Sequence, residues 1–316
     1  MKKSDNIFIA GHKGLVGSSI FRLLKKKGYK NLIVVDRKKL DLRDSKKVSN
    51  YFKTKRIDYM IMAAAKAGGI IANSSNQKDF FLDNIEIQNS LLKLALKKKV
   101  KRTIFLGTSC IYPKLSKTPI KEKSLLTGPL EKTNQCYAIA KISGIKLCEA
   151  LYEDFNLDLI SLMPTNVYGH KDNFDKVNGH VIPAIITKLE QAIKKNRKKI
   201  GLLGTGKPLR EFIHAEDLAS AIFFSLQVSK NKIKKIFKSK LPLINVGTKD
   251  EISIKHLASL IAKYIGYKGK IFFDKKSPDG TFRKKLDTSI MNRLGWKPKI
   301  KFETGLKETI ESFKNE

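Results

Sequence analysis

The 316-residue sequence predicts an α/β protein with a doubly wound parallel sheet and a second, smaller α/β region. Short apolar runs alternate with helix-like stretches through the first half of the chain, which is typical of parallel strands joined by crossover helices. The first apolar run leads directly into a glycine-rich turn, and a later helix-like stretch carries a Tyr and a Lys four residues apart. Because ligands bind at the carboxyl edge of such sheets, we expect both motifs to lie there.

Five apolar runs are predicted as the strands of this sheet, at residues 7–10, 32–35, 59–64, 103–106 and 157–163. Apolar periodicity predicts the first helices at residues 18–27, 79–99 and 137–155. Beyond Pro164 the alternation loosens. The pattern there predicts a helix ending in the basic run 194–199, a βαβ-like return around 213–247, helices at 253–264 and 305–314, and a loop at 277–280.

The turn after the first strand has the spacing G-x-x-G-x-x-G and leads into a predicted helix. Glycines let backbone N–H groups approach a pyrophosphate closely, and a helix N-terminus favours its negative charge. The spacing differs from G-x-G-x-x-G, and the alternative is a glycine-rich turn that binds nothing. We expect a dinucleotide to contact Gly11, His12, Lys13, Gly14, Leu15, Val16 and Gly17.

Tyr137 and Lys141 are four residues apart and therefore lie on one face of the predicted helix. An ammonium beside a phenol stabilises the phenolate, so we expect Lys141 to lower the pKa of Tyr137 toward neutrality. Thr108 follows an apolar strand and offers a hydroxyl to the same substrate oxygen. Tyr and Lys at this spacing are also common on solvated faces, but the glycine turn favours a catalytic role here.

The net charge of +35 comes almost entirely from Lys spread along the chain. No basic stretch is interleaved with aromatic residues, so we expect no dedicated nucleic-acid partner. No apolar stretch is long enough for a membrane span, and the N-terminus lacks a signal-peptide pattern. Cys110, Cys136 and Cys148 are an odd number without metal-ligand spacing, which predicts reduced thiols in a cytoplasmic protein and no metal.

Nine sequence blocks, in order over essentially the whole chain, resemble the GDP-L-fucose synthase family of extended short-chain dehydrogenases/reductases. These blocks are GHKGLVGS, AAAKAGGI, GTSCIYPK, YAIAKISGIKLCE, MPTNVYG, NGHVIPA, GTGKPLREFIH, INVGT and SPDGTFRK. The resemblance implies a dinucleotide-binding Rossmann domain at residues 1–168 plus about 213–247. Residues 169–212 plus 248–316 would form the nucleotide-sugar substrate domain.

The resemblance also implies a reaction at a 4-keto sugar. A C4 ketone acidifies the protons at C3 and C5, so a base can remove each and an acid on the other face can return it inverted. Cys110 would be that base and His180 the acid, while Thr108 and Tyr137 hold the enolate oxygen. Hydride would then pass from NADPH to C4 with Tyr137 supplying the proton. From the residues alone, Cys110 could be a small core residue, but its place two residues past Thr108 at the carboxyl edge of the sheet favours function. Without the resemblance, His180 would instead be read as a structural histidine.

The predicted cofactor is NADP(H), with NAD(H) as a weaker substitute. Asp36 after the second strand would bond a ribose 2′-OH and repel a 2′-phosphate, whereas Arg37 and Lys13 would neutralise that phosphate. Asp41 is expected to reach the adenine. The remaining cofactor contacts implied by the resemblance are Lys141, Pro164, Thr165, Asn166, Val167 and His180.

By resemblance, the GDP group would contact Lys188, Leu203, Arg210 and Asp279. Arg suits bidentate phosphate contact, whereas Asp279 in a Pro-Asp-Gly turn could simply bind its own backbone. Two positions depart from the family pattern. Lys188 stands where Arg is common, and Leu203 stands where some relatives carry Trp, so a planar contact is lost at each.

Two other classes remain open at this point. A nucleotide-sugar 4-epimerase needs no Cys after the Thr, and a 4,6-dehydratase usually has an acidic residue there, so Thr108-Ser109-Cys110 argues against both. A non-catalytic nucleotide-binding protein commonly loses the Tyr or the Lys, and this chain keeps both. The family is usually homodimeric, and the helices at 79–99 and 137–155 are the expected interface.

Overall fold

The computed structural model describes residues 1–175, 179–238, 240–274 and 279–315. Its largest sheet has six strands in the order β2-β1-β3-β4-β5-β9, and all five neighbouring pairs are parallel. The strands of this sheet are β1 (Ile7–Ala10), β2 (Leu32–Ile33), β3 (Tyr59–Met62), β4 (Arg102–Leu106), β5 (Leu159–Pro164) and β9 (Leu243–Val246). The predicted parallel sheet is therefore confirmed.

Helices cover both faces of the sheet. The helices are α1 (Leu15–Lys26), α2 (Ser45–Tyr51), α3 (Ile70–Ser75), α4 (Gln77–Lys97), α5 (Gln135–Phe155), α6 (Val181–Lys194), α7 (Ala215–Gln227), α8 (Lys230–Phe237), α9 (Ile254–Ile265), α10 (Ser289–Leu294) and α11 (Phe302–Lys314). Successive residues of β1 point to opposite faces, so Phe8 joins the core under α2, α4 and α5, whereas Ile7 and Ile9 join the core under α1 and α7.

A second layer of structure lies beyond the large sheet. Strand β8 (Leu209–His214) pairs with β6 (Asn166–Tyr168), β10 (Glu251–Ser253) and β12 (Arg283–Lys284), and β7 (Lys199–Leu203) pairs with β11 (Lys270–Asp274). A third apolar cluster fills this layer with residues from α6, α9 and α11. By contrast, Met291, Leu294 and Trp296 pack on the large sheet. The residue boundaries of the two predicted domains stay a prediction.

Most predicted elements are present with shifted ends. The helix predicted from residue 18 begins at Leu15, within the glycine turn, and α6 ends at Lys194, the first residue of the basic run in which this helix was predicted to end. Lys199 already belongs to β7. In the predicted loop at 277–280, Ser277 and Pro278 lie outside the described residues, as does Asn178 of the NGHVIPA block. None of the described helices is both long and apolar enough to cross a membrane.

Candidate active site

The catalytic candidates meet where β4 ends. Thr108 caps a short 3-10 turn, and its Oγ1 accepts a hydrogen bond from the backbone N–H of Cys110 at 3.2 Å. The same Thr108 side chain forms a hydrogen bond with the hydroxyl of Tyr137 on α5. Because Cys110 also interacts electrostatically with Tyr137, the structure brings all three predicted side chains into one site.

The helix that carries Tyr137 is positioned by its contact with α4. Gln88 on α4 donates from Nε2 to the carbonyl oxygen of Ala140 at 2.7 Å and to Ser143 Oγ at 3.0 Å. Gly144 leaves room for this amide, since a Cβ there would lie 2.5 Å from Gln88 Oε1 and 2.6 Å from the Phe105 ring. The approach of α5 to α4 and β4 is therefore fixed one or two turns beyond Tyr137.

The lowered pKa that was expected for Tyr137 beside Lys141 is not found in the structure. Burial raises the pKa of Tyr137 well above its usual value, and the bond to Thr108 offsets this only in part. Lys141 is itself buried, which lowers its pKa to about 8, and its Nζ donates to the carbonyl oxygen of Leu106 at 3.0 Å. Desolvation thus outweighs the charge pairing that the spacing alone suggested.

Two residues that sequence reasoning missed contact the sulfur of Cys110. Asn134 Nδ2 donates to Sγ at 3.4 Å, and Lys284 Nζ lies 3.7 Å from Sγ. Arg210 interacts electrostatically with the same thiol. We call Cys110, Asn134, Tyr137, Arg210 and Lys284 the cysteine cluster. Lys284 is the last residue of the SPDGTFRK block, but nothing in that spacing connects it to a cysteine 174 residues away.

His180 lies at the N-cap of α6. A Cβ on Gly69 would overlap the carbonyl of Gly179, so the segment before His180 packs against the start of α3. A Cβ on Gly280 would lie 3.5 Å from Ile70 Cδ1 and 3.3 Å from Arg210 Nη2, which links α3 to the cysteine cluster. Burial lowers the pKa of His180.

The four residues expected to bind GDP are placed differently from one another. Arg210 and Asp279 interact electrostatically, and burial lowers the pKa of Arg210. Asp279 accepts bonds from the backbone N–H of Thr205 at 2.9 Å and from its hydroxyl at 2.6 Å, so its carboxylate holds this turn. Leu203 is 57 % exposed at the end of β7, and Lys188 is exposed on α6.

The glycine turn at residues 11–17 fits a dinucleotide pyrophosphate. Gly11 has φ +86°, and a Cβ there would lie 2.7 Å from the backbone nitrogen of Ala64. A Cβ on Gly17 would overlap the carbonyl oxygen of Gly11. Helix α1 begins after Gly14 without a side-chain cap, which leaves its first N–H groups free to bind an anion.

The charged side chains that are expected to determine the cofactor preference form ion pairs with one another. Lys13 Nζ contacts Asp36 Oδ1 at 2.8 Å, and His12 Nε2 lies 3.4 Å from the same oxygen. The hydrogen bond from Lys13 is the main cause that lowers the pKa of Asp36. Asp41 is likewise engaged, because Arg43 donates to it from Nε and from Nη2, the latter at 2.6 Å.

The predicted cofactor strip 164–167 runs from β5 into β6. Thr165 Oγ1 and Asn166 Nδ2 both donate to the carbonyl oxygen of Glu211, at 2.9 and 2.8 Å. Pro164 ends β5, and Val167 pairs with Ile213 of β8. These residues tie the large sheet to the second layer. Within the described ranges, no group of three His, Cys, Asp or Glu side chains is arranged to hold a metal ion.

A parallel sheet that carries this glycine turn, with Thr108 bonded to the Tyr of a Tyr-x-x-x-Lys helix, defines the class of short-chain dehydrogenases/reductases. The sequence model described as the NAD dependent epimerase/dehydratase family matches residues 7–238. The chain belongs to this family.

Three known proteins illustrate where the chain stands within the family. The GDP-L-fucose synthase of Escherichia coli strain K12 is 44% identical over 309 residues, which cover 98% of this chain and 96% of that protein. A GDP-6-OMe-4-keto-L-xylo-heptose reductase from C. jejuni has a similar structure, with a TM-score of 0.93 and 32% identity over 100% and 99% of the two chains. A GDP-L-fucose synthetase from Naegleria fowleri bound to NADP gives 0.85 and 28% over 100% and 95%.

Proposed function

We propose that the protein converts GDP-4-keto-6-deoxy-D-mannose to GDP-L-fucose, by epimerisation at C3 and C5 followed by reduction of the C4 ketone. The observation that carries this proposal is the meeting of Cys110 with the Thr108–Tyr137 pair at one edge of the sheet. A thiol base and a phenol proton donor in one site match a reaction that first exchanges C–H protons and then reduces a carbonyl. The 44% identity to the Escherichia coli synthase supports the same substrate.

Epimerisation needs a base and an acid on opposite faces of the sugar ring. Cys110 would take the proton from C3 or C5, and the C–H electron pair would pass to the ketone oxygen as an enolate. Thr108 and Tyr137 would hold that oxygen by hydrogen bonds in a water-poor site. His180 would return a proton to the other face, and the lowered pKa of its buried ring makes its imidazolium a stronger acid.

Reduction of the C4 ketone would depend on Tyr137, Lys141 and the cofactor. NADPH, when bound, would supply a hydride to C4. Tyr137 would give its hydroxyl proton to the C4 oxygen, and the raised pKa of this phenol keeps it protonated until that step. Lys141 lies one turn further along α5 and would bind the nicotinamide ribose. Arg210 would bind the diphosphate of GDP, with Lys188 and Leu203 at the outer end.

The proposed cofactor is NADP(H), with NAD(H) used less well. Lys13 holds Asp36 in an ion pair, so the carboxylate repels a 2′-phosphate less than a free one would. Arg37 is exposed next to it and is free of a carboxylate partner among the described ion pairs.

The decisive experiment adds freshly prepared GDP-4-keto-6-deoxy-D-mannose to the pure enzyme with NADPH or with NADH. We expect loss of nicotinamide absorbance and formation of GDP-L-fucose, faster with NADPH. An enzyme that binds NADPH but oxidises neither cofactor with this sugar would contradict the proposal.

A second candidate is a GDP-sugar C4 reductase that leaves C3 and C5 unchanged, favoured by the TM-score of 0.93 with the heptose reductase. The same assay in D₂O separates the two activities. Deuterium at C3 and C5 of the product supports the epimerase/reductase, and reduction without deuterium at either carbon supports the simple reductase.

We also propose a cytoplasmic homodimer that pairs through α4 and α5. Leu82, Ile139 and Phe155 expose apolar surface on these two helices, at 44, 39 and 58 %. All three cysteines are free thiols, consistent with a reducing compartment. Sedimentation equilibrium should give twice the mass of one chain, and Leu82→Lys should shift the equilibrium toward monomer. A wild-type monomer at every protein concentration would contradict the dimer.

A further inference from the structure

The sulfur of Cys110 is surrounded by groups that favour a negative charge. Lys284 approaches it at 3.7 Å and Asn134 at 3.4 Å, and Arg210 interacts with it through space. A thiolate is the basic form of cysteine, and it is stabilised by adjacent cations and hydrogen-bond donors. Cys110 is also only half-buried, so a substrate can reach it.

The fold directs Lys284 toward this site. In β12, Lys284 pairs with Arg210 of β8. Its neighbours point to the opposite side, where Arg283 binds Glu251 at 2.6 Å and Lys285 lies 3.7 Å from the same carboxylate. Because successive side chains of a strand point to opposite faces, Lys284 is kept away from Glu251, which pairs with Arg283 and Lys285. Among the described ion pairs, Lys284 has no carboxylate partner, and its nearest anion-forming group is Cys110.

The remaining charged groups around Cys110 agree with a thiolate. Tyr137 on α5 lies close enough to Cys110 that a negative charge on the sulfur would raise the pKa of the phenol. Arg210 on β8 is cationic. Glu131 also influences Arg210, but it is already paired with Lys114 at 3.0 Å. Asp279 also influences Arg210 and accepts two hydrogen bonds from Thr205, so the cysteine cluster places two cations, Lys284 and Arg210, beside the sulfur.

We propose that Lys284 is the counter-ion that holds Cys110 as a thiolate, with Asn134 donating the second hydrogen bond. Lys284 is thus a positioning residue for the base, and it exchanges no proton itself. The thiolate takes the C–H proton and becomes a thiol while the enolate forms. Before the second epimerisation, that thiol returns its proton to water and the acid on the other face regains one, so the proton count balances. This inference rests on the proposed function for the identity of the reaction.

The test measures the thiolate directly, in enzyme without sugar. Thiolate absorbance at 240 nm and the rate of alkylation of Cys110 by iodoacetamide are followed against pH, with Cys110→Ser subtracting the signal of Cys136 and Cys148. Removing the cation nearest the sulfur disfavours the thiolate, so Lys284→Met should show less thiolate absorbance and slower alkylation than wild type at neutral pH. Lys284→Arg should restore most of both signals.

Lys285→Met is the matched control, because it removes a charge from the next residue on the opposite side of β12. It should titrate like wild type. Coincident curves for wild type and Lys284→Met, or an equal shift in Lys285→Met, would overturn the assignment. Bound NADPH fluorescence confirms that each variant is folded.

A second readout separates this inference from the proposed function. Deuterium exchange into C3 and C5 should be slower in Lys284→Met at neutral pH and recover at higher pH, with kcat lowered more than KM is raised. If wild type exchanges no C–H proton of any GDP-4-keto sugar, the proposed function fails, whereas the thiolate titration still decides whether Lys284 is the counter-ion.

Discussion

The glycine turn at residues 11–17 and the cysteine cluster lie at the same carboxyl edge of the sheet, but they are assembled in different ways. The glycine turn is one continuous segment whose shape depends on backbone contacts, such as that between Gly17 and the carbonyl of Gly11. The cysteine cluster takes side chains from the end of β4, from the start of α5 and from two strands of the second layer. The cofactor side is thus a local structure, and the sugar side depends on tertiary packing.

The largest expected effect is on the chemistry of the cysteine cluster. Tyr137→Phe removes the proton donor for the C4 oxygen, and we expect the rate of reduction to fall by about 10²–10⁴-fold. Cys110→Ser should instead slow deuterium exchange at C3 and C5 and leave NADPH affinity unchanged. Single-turnover NADPH oxidation and mass spectrometry of the sugar measure the two steps. Equal residual exchange in both variants would mean that the two residues do not divide the work.

The glycine turn should be sensitive to a single methyl group. Gly17→Ala places a Cβ against the carbonyl of Gly11 and forces α1 away from the rest of the glycine turn. A misplacement of about 1 Å can cost on the order of 100-fold in reaction rate, so turnover with NADPH should fall by about this amount. NADPH affinity should fall as well, as measured by fluorescence titration. Gly14→Ala is the steric control for the fold, because its Cβ would make an ordinary 3.5 Å contact. Equal melting temperatures and equal NADPH affinities for Gly17→Ala and Gly14→Ala would contradict this prediction.

The glycine turn and the Tyr137–Lys141 pair could be predicted from the sequence because the residues of each motif are close neighbours along the chain. The strands and the parallel sheet followed from alternating apolar runs for the same reason. Lys284 and Asn134 could not be found in this way, since nothing in a linear pattern brings position 284 to position 110. The direction of the Tyr137 pKa was wrong because residue spacing gives the distance between two charges but not their loss of water.

Cofactor choice should respond about tenfold to the ion pair beside the glycine turn. Asp36→Asn removes a charge that opposes a 2′-phosphate and releases Lys13, so the ratio of kcat/KM for NADPH over NADH should rise by about tenfold. Lys13→Met should lower the same ratio. If both variants change it in one direction, the pair does not set the preference.

The smallest expected effect concerns stability in the second layer. Burial raises the pKa of Asp172 to about 7, whereas an unfolded Asp has a pKa near 3.8. Between these values the folded state holds a proton that the unfolded state has lost, so this group lowers stability as pH rises toward 7. Asp172→Asn should therefore gain roughly 1–2 kcal/mol relative to wild type between pH 5 and pH 7 in urea unfolding.

The exposed variant Asp154→Asn is the control for this measurement, and it should show no such trend. A constant difference between Asp172→Asn and wild type across this pH range would show that Asp172 is ionised in the folded protein.

The short strand β12 has a consequence for how this site tolerates change. Only two residues of β12 pair with β8, so an inserted or deleted residue nearby can shift the strand by one position. Such a shift exchanges the side chains on its two faces. Because Arg283, Lys284 and Lys285 are all basic, either direction of slippage would still present a cation to Cys110. The run of three basic residues therefore gives the site a measure of robustness to length variation that a single lysine would not provide.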